Sequence, residues 1–172
     1  MSVNIKLIPR SRDLLNKIGY FRAQFTPETS RIERGIIYAK FGIVGYNNTP
    51  LQFTAGTSPT MPVVFFVDEY INDVFTEGIR DFNLNLTGDE GHNPVTKVEK
   101  VIAWFETVTS TSGAFQRFRN SPPELIFSWG NAWAYRVVIE RSNIVKTMFL
   151  SDGSATRANI EVNLQRMVDF PV

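Results

Sequence analysis

The sequence predicts one mainly β domain of the α+β kind with a single amphipathic helix on its flank, and three observations carry that expectation. Along residues 157–165, the apolar Ala158, Ile160, Val162 and Leu164 alternate without fault with Arg157, Asn159, Glu161, Asn163 and Gln165. That is the period of a half-buried strand. Nine prolines and 11 glycines punctuate the chain at intervals that suit short strands and turns. Phe, Tyr and Trp make up 13% of the 172 residues, a share that fits sheets covered on more than one side. A chain of this length buries an adequate core as one domain.

The elements follow in order. Val3, Ile5 and Leu7 alternate with polar neighbours and predict an opening strand, and Tyr20 to Phe25 predicts a shorter one. Ser30 to Tyr46 alternates poorly and contains Gly35, Gly42 and Gly45. It is either a bent hairpin or a long loop that orders against a partner, and the loop is the preferred reading. Leu51 to Thr57 predicts a half-buried strand ending in a turn. Pro62 to Asp68 is apolar on both faces, which places it at the sheet centre or beneath the helix. Phe82, Leu84 and Leu86 alternate as a further strand.

The helix is expected to start at Asn93-Pro94, because Asn is a good N-cap and proline is tolerated at the first helical position. Val95, Val98, Val101, Ile102, Phe105 and Val108 then form its apolar stripe, with Lys97, Glu99, Lys100 and Glu106 on the polar face. A loop follows from Thr109 and closes at Pro122-Pro123. Leu125, Phe127 and Trp129 share one strand face, with Trp129 expected to be largely buried. Gly130 and Asn131 make a turn, after which Trp133, Tyr135, Val137 and Ile139 share the next face. Ile144 to Leu150 continues extended to Asp152-Gly153, a strong hairpin signal that calls for Gly153 at positive φ.

Several chemistries find no support. With no cysteine, a disulfide framework, a thiolate zinc site and a cysteine nucleophile are excluded. One histidine, His92, stands in a Gly-His-Asn-Pro context that reads as loop rather than as ligand or catalytic base. Asp68, Glu69, Asp73 and Glu77 are close in sequence, but their spacing matches no calcium loop and reads as ordinary strand-edge acids. Neither a Gly-x-Ser-x-Gly elbow nor a phosphate-cradling glycine loop is present. The expectation is a protein with no catalytic residue, metal or cofactor.

Eighteen basic against 17 acidic residues leave a formal charge of +1, which gives no global field toward nucleic acid or an anionic membrane. Arg117-Phe118-Arg119, with Arg10 and Arg12, is the only basic-aromatic patch; ion pairs or subunit contacts are expected of it rather than base stacking. The first residues lack a secretion signal's apolar core and no window reaches the roughly 20 apolar residues of a membrane helix, so synthesis and folding in a cytoplasm are expected.

The last third also resembles a known family. Ser121-Pro122-Pro123-Glu124-Leu125-Ile126-Phe127-Ser128-Trp129-Gly130, followed by Phe149-Leu150-Ser151-Asp152-Gly153-Ser154-Ala155-Thr156-Arg157-Ala158, is similar to a paired motif of the tube and baseplate-hub proteins of contractile injection systems. In that motif a Pro-Pro-x-Leu-x-Phe-x-Trp-Gly strand precedes a Phe-x-x-Asp-Gly-x-x-x-Arg-Ala hairpin. Gln24-Phe25-Thr26-Pro27-Glu28, Leu51 to Gly56 and Val64 to Asp68 resemble earlier family elements, so the likeness spans about residues 20–167. Thr26 stands where the family has Asn, and the LysM module that many members carry is not expected within residues 1–172.

The resemblance implies a tail-tube-like β-sandwich or half-open barrel in a homo-oligomeric ring, hexameric first and trimeric second. It implies a structural, non-enzymatic baseplate hub or tube-initiating adaptor between tail tube and spike, in the virion tail. An ordinary tube subunit is the alternative within the class. A carbohydrate-binding or other interaction module using Trp129, Trp133 and Tyr135 is the alternative outside it. Ile36, Ile37, Tyr38, Phe41 and Ile43 are the apolar side chains expected to be buried against a neighbouring subunit.

Overall fold

The computed structural model describes residues 4–27, 29–45, 47, 50–72, 74–80, 96–110 and 122–168. Within them the chain forms β1 (Ile5–Pro9), α1 (Arg12–Ile18), β2 (Phe21–Arg22), β3 (Ile36–Lys40), β4 (Leu51–Gly56), β5 (Thr60–Asp68) and a 3-10 turn (Val74–Thr76). It continues with α2 (Lys97–Thr109), β6 (Leu125–Trp129), β7 (Trp133–Phe149) and β8 (Ala155–Arg166). Six strands make one antiparallel sheet in the order β2-β1-β6-β7-β8-β5, while β3 and β4 pair separately as a two-stranded arm. The large sheet curls strongly into a half-barrel, so the mainly β architecture is the expected one.

Alternation decides which face of that sheet becomes core. Ala158, Ile160, Val162 and Leu164 are all buried, as their spacing predicts, and they join Leu125, Phe127, Val137, Ile139, Val63 and Phe65 from neighbouring strands. Helix α2 lies on this apolar face through Val98, Val101, Ile102, Trp104, Phe105 and Val108. Phe21, Phe65, Trp104 and Phe105 meet at the centre, with Phe21 edge-on to Phe65 and Phe105 at 5.1 and 4.9 Å between ring centroids.

Several expectations are corrected. Helix α2 begins at Lys97, capped by Thr96, whose hydroxyl accepts from Glu99 N at 3.2 Å, and not at Asn93-Pro94. Glu99 belongs to the buried side, not to a solvent-facing polar face. The segment read as a loop over residues 30–46 contains a strand: Ile36–Lys40 is hydrogen-bonded to Leu51–Gly56, and the latter is largely exposed rather than half-buried. Strand β5 lies at the sheet edge, with an alternating burial pattern and Val64 52% exposed, although its inner Phe65 does pack against Phe105 of the helix.

Helix α1 has no counterpart among the sequence expectations. It is short, buries Leu14 and Ile18 one turn apart, and ends at Gly19, whose φ of 75° and N–H bond to Leu15 O close the last turn. A Cβ on Gly19 would collide with the Gly78 carbonyl, so this close approach of two backbones needs glycine. The expected strand through Phe82, Leu84 and Leu86, along with His92, Asn93, Pro94, Asp73 and Arg117-Phe118-Arg119, lies outside the described residues.

Candidate assembly surface and its polar anchors

Among the described residues, the arm formed by β3 and β4, with the residues just after β3, carries the greatest concentration of exposed apolar side chains. Ile36 pairs with Gly56, Tyr38 with Phe53 and Lys40 with Leu51, with a register shift between Ile37 and Tyr38. Tyr38 and Phe53 meet edge-on at 6.2 Å. Leu51 and Phe53 are 60% and 62% exposed, and Ile36, Ile37, Tyr38, Phe41 and Ile43 are each about half exposed. The arm is rooted on β5, where Glu33 and Thr60 exchange both backbone hydrogen bonds, and Gly35 N donates to Thr57 Oγ1 at 2.8 Å. A two-stranded ribbon is marginally stable alone. Its apolar surface becomes useful when a second body covers it.

A second exposed apolar group sits at the β7–β8 tip: Val145, Met148, Phe149 and Leu150. The turn there is built as its residues demand. Ser154 N donates to Asp152 Oδ1 at 2.9 Å, Leu150 N to Ser154 O and Gly153 N to Leu150 O, and Gly153 has φ 86°. Gly153→Val is therefore expected to cost about 1–2 kcal/mol in chemical denaturation, because a β-branched residue is strained at that φ although open space surrounds it.

Pro122 and Pro123 are half-buried and lead into β6. Just after them Glu124 is clasped twice, by Arg10 Nη1 and by Arg136 Nη2 at 3.1 Å, while its carbonyl accepts from Arg10 N. The clasp ties the N-terminal strand, β6 and β7 together. Phe127 is buried, and Trp129, partly buried, packs against the core beside it. At that end of β6, Trp129 packs edge-on against Phe127 and Trp133. Gly130 sits in the following turn at φ 55° and donates to Asn4 O at 2.7 Å. Arg166 covers the Tyr135 ring at 4.4 Å.

Two polar anchors fasten the other end of the sheet. At the first, Asp68 is 1% exposed; Arg157 Nε donates to its Oδ2 at 2.7 Å and Tyr70 N to its Oδ1 at 2.9 Å. The Arg157 guanidinium also lies over Phe66, and Ala158 is fully buried opposite Val67. Buried Gln24 completes this corner, bonding Asp68 N and the carbonyls of Asp68 and Asn72. At the second anchor, Glu99 accepts from Lys146 Nζ at 3.0 and 3.2 Å and from Ala155 N at 2.9 Å, while Thr96 Oγ1 donates to Ala155 O at 2.7 Å. The first turn of α2 is thus bolted to both strands of the hairpin.

Of the four acids read as edge residues, the three that are described do not gather into a site. Asp68 faces Arg157, Glu69 Oε2 accepts from Val98 N at 3.1 Å, Glu77 pairs with Arg22 at 3.0 Å, and Asp73 is outside the described residues. Among the described residues no group of His, Asp or Glu could hold a metal ion, and no helix is long and apolar enough to cross a membrane. Sequence reasoning missed Gln24, Thr96, Glu99 and Lys146 as anchors. A signal for one pair was present, since Thr96-x-x-Glu99 matches the capping-box pattern.

The anchors set the acid response. The Tyr70 backbone N–H, and after it the Arg157 guanidinium, hold Asp68 below the usual carboxylate range against the opposing effect of burial. Arg10 and then Arg136 lower Glu124 in the same way. Both folded-state values are depressed, so the stability they contribute is complete above the unfolded carboxylate pKa of about 4 and is lost as pH falls through the folded values. Melting temperature should be flat from neutral to about pH 5 and fall below about pH 4. Asp68→Asn should reduce that acid slope.

The fold is a curled half-barrel flanked by a helix, with an exposed apolar arm and with Asp68, Glu99 and Glu124 fastening its elements together. A model of the contractile injection system tube protein family matches residues 4–170, and the chain belongs to that family. The match extends beyond the roughly 20–167 span of the motif likeness. It gives the chain a tail-tube-type structural role within an oligomeric tube assembly. No curated protein matches the chain.

Proposed function

We propose that this chain is a non-enzymatic baseplate-hub or tube-initiating adaptor of a contractile tail, forming a ring that joins the tail tube to the baseplate or spike. Family membership supports the tube-type role, and the Pro-Pro, Trp-Gly and Asp-Gly/Arg-Ala elements support the hub reading. The observation that carries ring assembly is the exposed apolar arm, in which Ile36, Ile37, Tyr38, Phe41 and Ile43 are all accessible in the single chain. A hexamer is the first expectation and a trimer the second. The ring stands at the tube end in the virion, with tube, spike and baseplate proteins as partners and without specific nucleic-acid binding.

The family description itself favours the second reading, an ordinary tube subunit. The two separate by electron microscopy and sedimentation of the purified chain alone and with its tube protein. An adaptor forms one discrete ring and nucleates tubes made of the other protein. A tube subunit polymerises into long tubes by itself, and that outcome would refute the adaptor role. A carbohydrate-binding module is disfavoured because Trp129 and Trp133 pack edge-to-face at 5.5 Å and Arg166 covers Tyr135, which leaves no flat aromatic platform across the three.

Tyr38→Asp tests the arm. The side chain is 49% exposed, so stability should change by no more than about 0.5 kcal/mol while ring formation is lost. In the assembled ring, amides of Ile36–Lys40 should gain protection from hydrogen exchange relative to the isolated chain. Equal protection in both states, or unimpaired rings from Tyr38→Asp, would remove the arm from the interface.

A further inference from the structure

The outer edge of β5 is occupied at both ends by groups of its own chain. Pro59 O accepts from Arg166 N, and Glu69 N donates to Thr156 O, so residues of this parity face β8. Backbone direction alternates along an antiparallel ladder. Thr60, Pro62, Val64, Phe66 and Asp68 therefore turn their backbone groups away from the sheet. Two of these five are already taken. Thr60 donates to Glu33 O at 2.9 Å and accepts from Glu33 N at 2.8 Å. Asp68 makes the equivalent pair with a side chain: its N–H donates to Gln24 Oε1 at 2.7 Å and its carbonyl accepts from Gln24 Nε2 at 2.9 Å.

The Gln24 carboxamide thus offers one acceptor and one donor in the arrangement of a facing strand residue. It is only 3% exposed, and a further bond from Nε2 to Asn72 O at 3.0 Å fixes its orientation. Phe25 follows it and packs on Phe66 at 5.5 Å. Pro62 has no N–H to offer. Among the described residues, the edge retains a full donor and acceptor pair only at Val64 and Phe66.

Exposed strand edges are templates for indefinite pairing, and natural sheets blunt them. We propose that Gln24 and Glu33 are edge guards of β5 which, with Pro62, confine strand pairing by a second copy of this chain to the Val64–Phe66 window. The free subunit is thereby kept from extending its sheet edge to edge. This role concerns the edge alone and stands apart from the position of the ring in the tail.

Sedimentation of the full chain, combined with residue-resolved hydrogen exchange, tests the proposal. Gln24→Ala opens the Asp68 N–H and carbonyl and lengthens the free run to Val64–Asp68. Self-association should then occur at a concentration roughly tenfold or more below that of the wild type, as two additional backbone hydrogen bonds cross the contact. The Val64, Phe66 and Asp68 amides should gain protection in the associated form. Adding Val64→Pro removes the N–H at one end of that run and should return association to the wild-type concentration. A folded Gln24→Ala chain that associates no more readily than wild type overturns the proposal, and so does a double variant that still associates at the lowered concentration of Gln24→Ala. The wild-type chain supplies a reading independent of any variant's folding: Thr60 and Asp68 amides exchange slowly, and Val64 and Phe66 amides quickly, in the isolated subunit. Equal protection at all four would also overturn it.

Discussion

Trp104→Ala is expected to cost about 3–5 kcal/mol, a large part of the roughly 5–15 kcal/mol by which a domain holds together. The side chain is fully buried at the middle of α2 and contacts Phe21 and Phe105 at 6.0 and 5.1 Å between centroids. Its Nε1 donates to Gly19 O at 3.3 Å, so truncation leaves both a cavity and a carbonyl without its donor. Trp104→Phe keeps much of the volume and loses the bond; it should cost less, about 1–3 kcal/mol. Urea denaturation of the two variants separates the terms. A loss under about 1 kcal/mol for Trp104→Ala would mean that this aromatic cluster is not the centre of the core.

Glu99→Ala should be nearly as damaging, about 3 kcal/mol, because it strips a buried carboxylate from two donors that make three hydrogen bonds to it. Lys146 Nζ loses its partner, the Ala155 N–H is left buried, and the joint between the helix start and the hairpin opens. Glu99→Gln can still accept from Ala155 N and should retain a substantial part of that stability. Thermal melts of the pair are the measurement. Equal melting temperatures for Glu99→Gln and Glu99→Ala would show that the charge on Lys146, and not the Ala155 bond, carries the anchor.

Much of the sheet was legible because one of its faces is core and the other is not. The alternation of residues 157–165 predicts β8 and its buried face, and Asp152-Gly153 predicts the turn before it. The arm was illegible for the opposite reason: Ile36, Ile37 and Tyr38 are all exposed, so no period of two marks the strand. Strand β5 misleads in a related way. Its outer Phe66 is apolar because Phe25 and the neighbouring strand's Arg157 cover it on the sheet's outer face, which imitates a central strand in sequence. Helix α1 escaped notice because seven residues with a single Leu14/Ile18 pair show too little periodicity, and its N-cap Ser11 makes no side-chain cap bond. The anchors escaped because Gln24 and Asp68, or Glu99 and Lys146, stand far apart in the chain and only the fold brings them together.

Strand β7 has a mechanical consequence. It runs unbroken over 17 residues, pairs with β6 through its first five, and pairs with β8 from Val137 to Phe149. A pull applied at the tip, directed along the strand, loads those hydrogen bonds sideways and all at once instead of peeling them apart in turn. The register shifts at Ile139/Arg141 and near Met148 interrupt the ladder and resist sliding of one strand past the other. A force applied at the hairpin is then delivered to the centre of the half-barrel through one stiff rod, while a pull across the arm, which has only β3 and β4 to share the load, meets far less resistance.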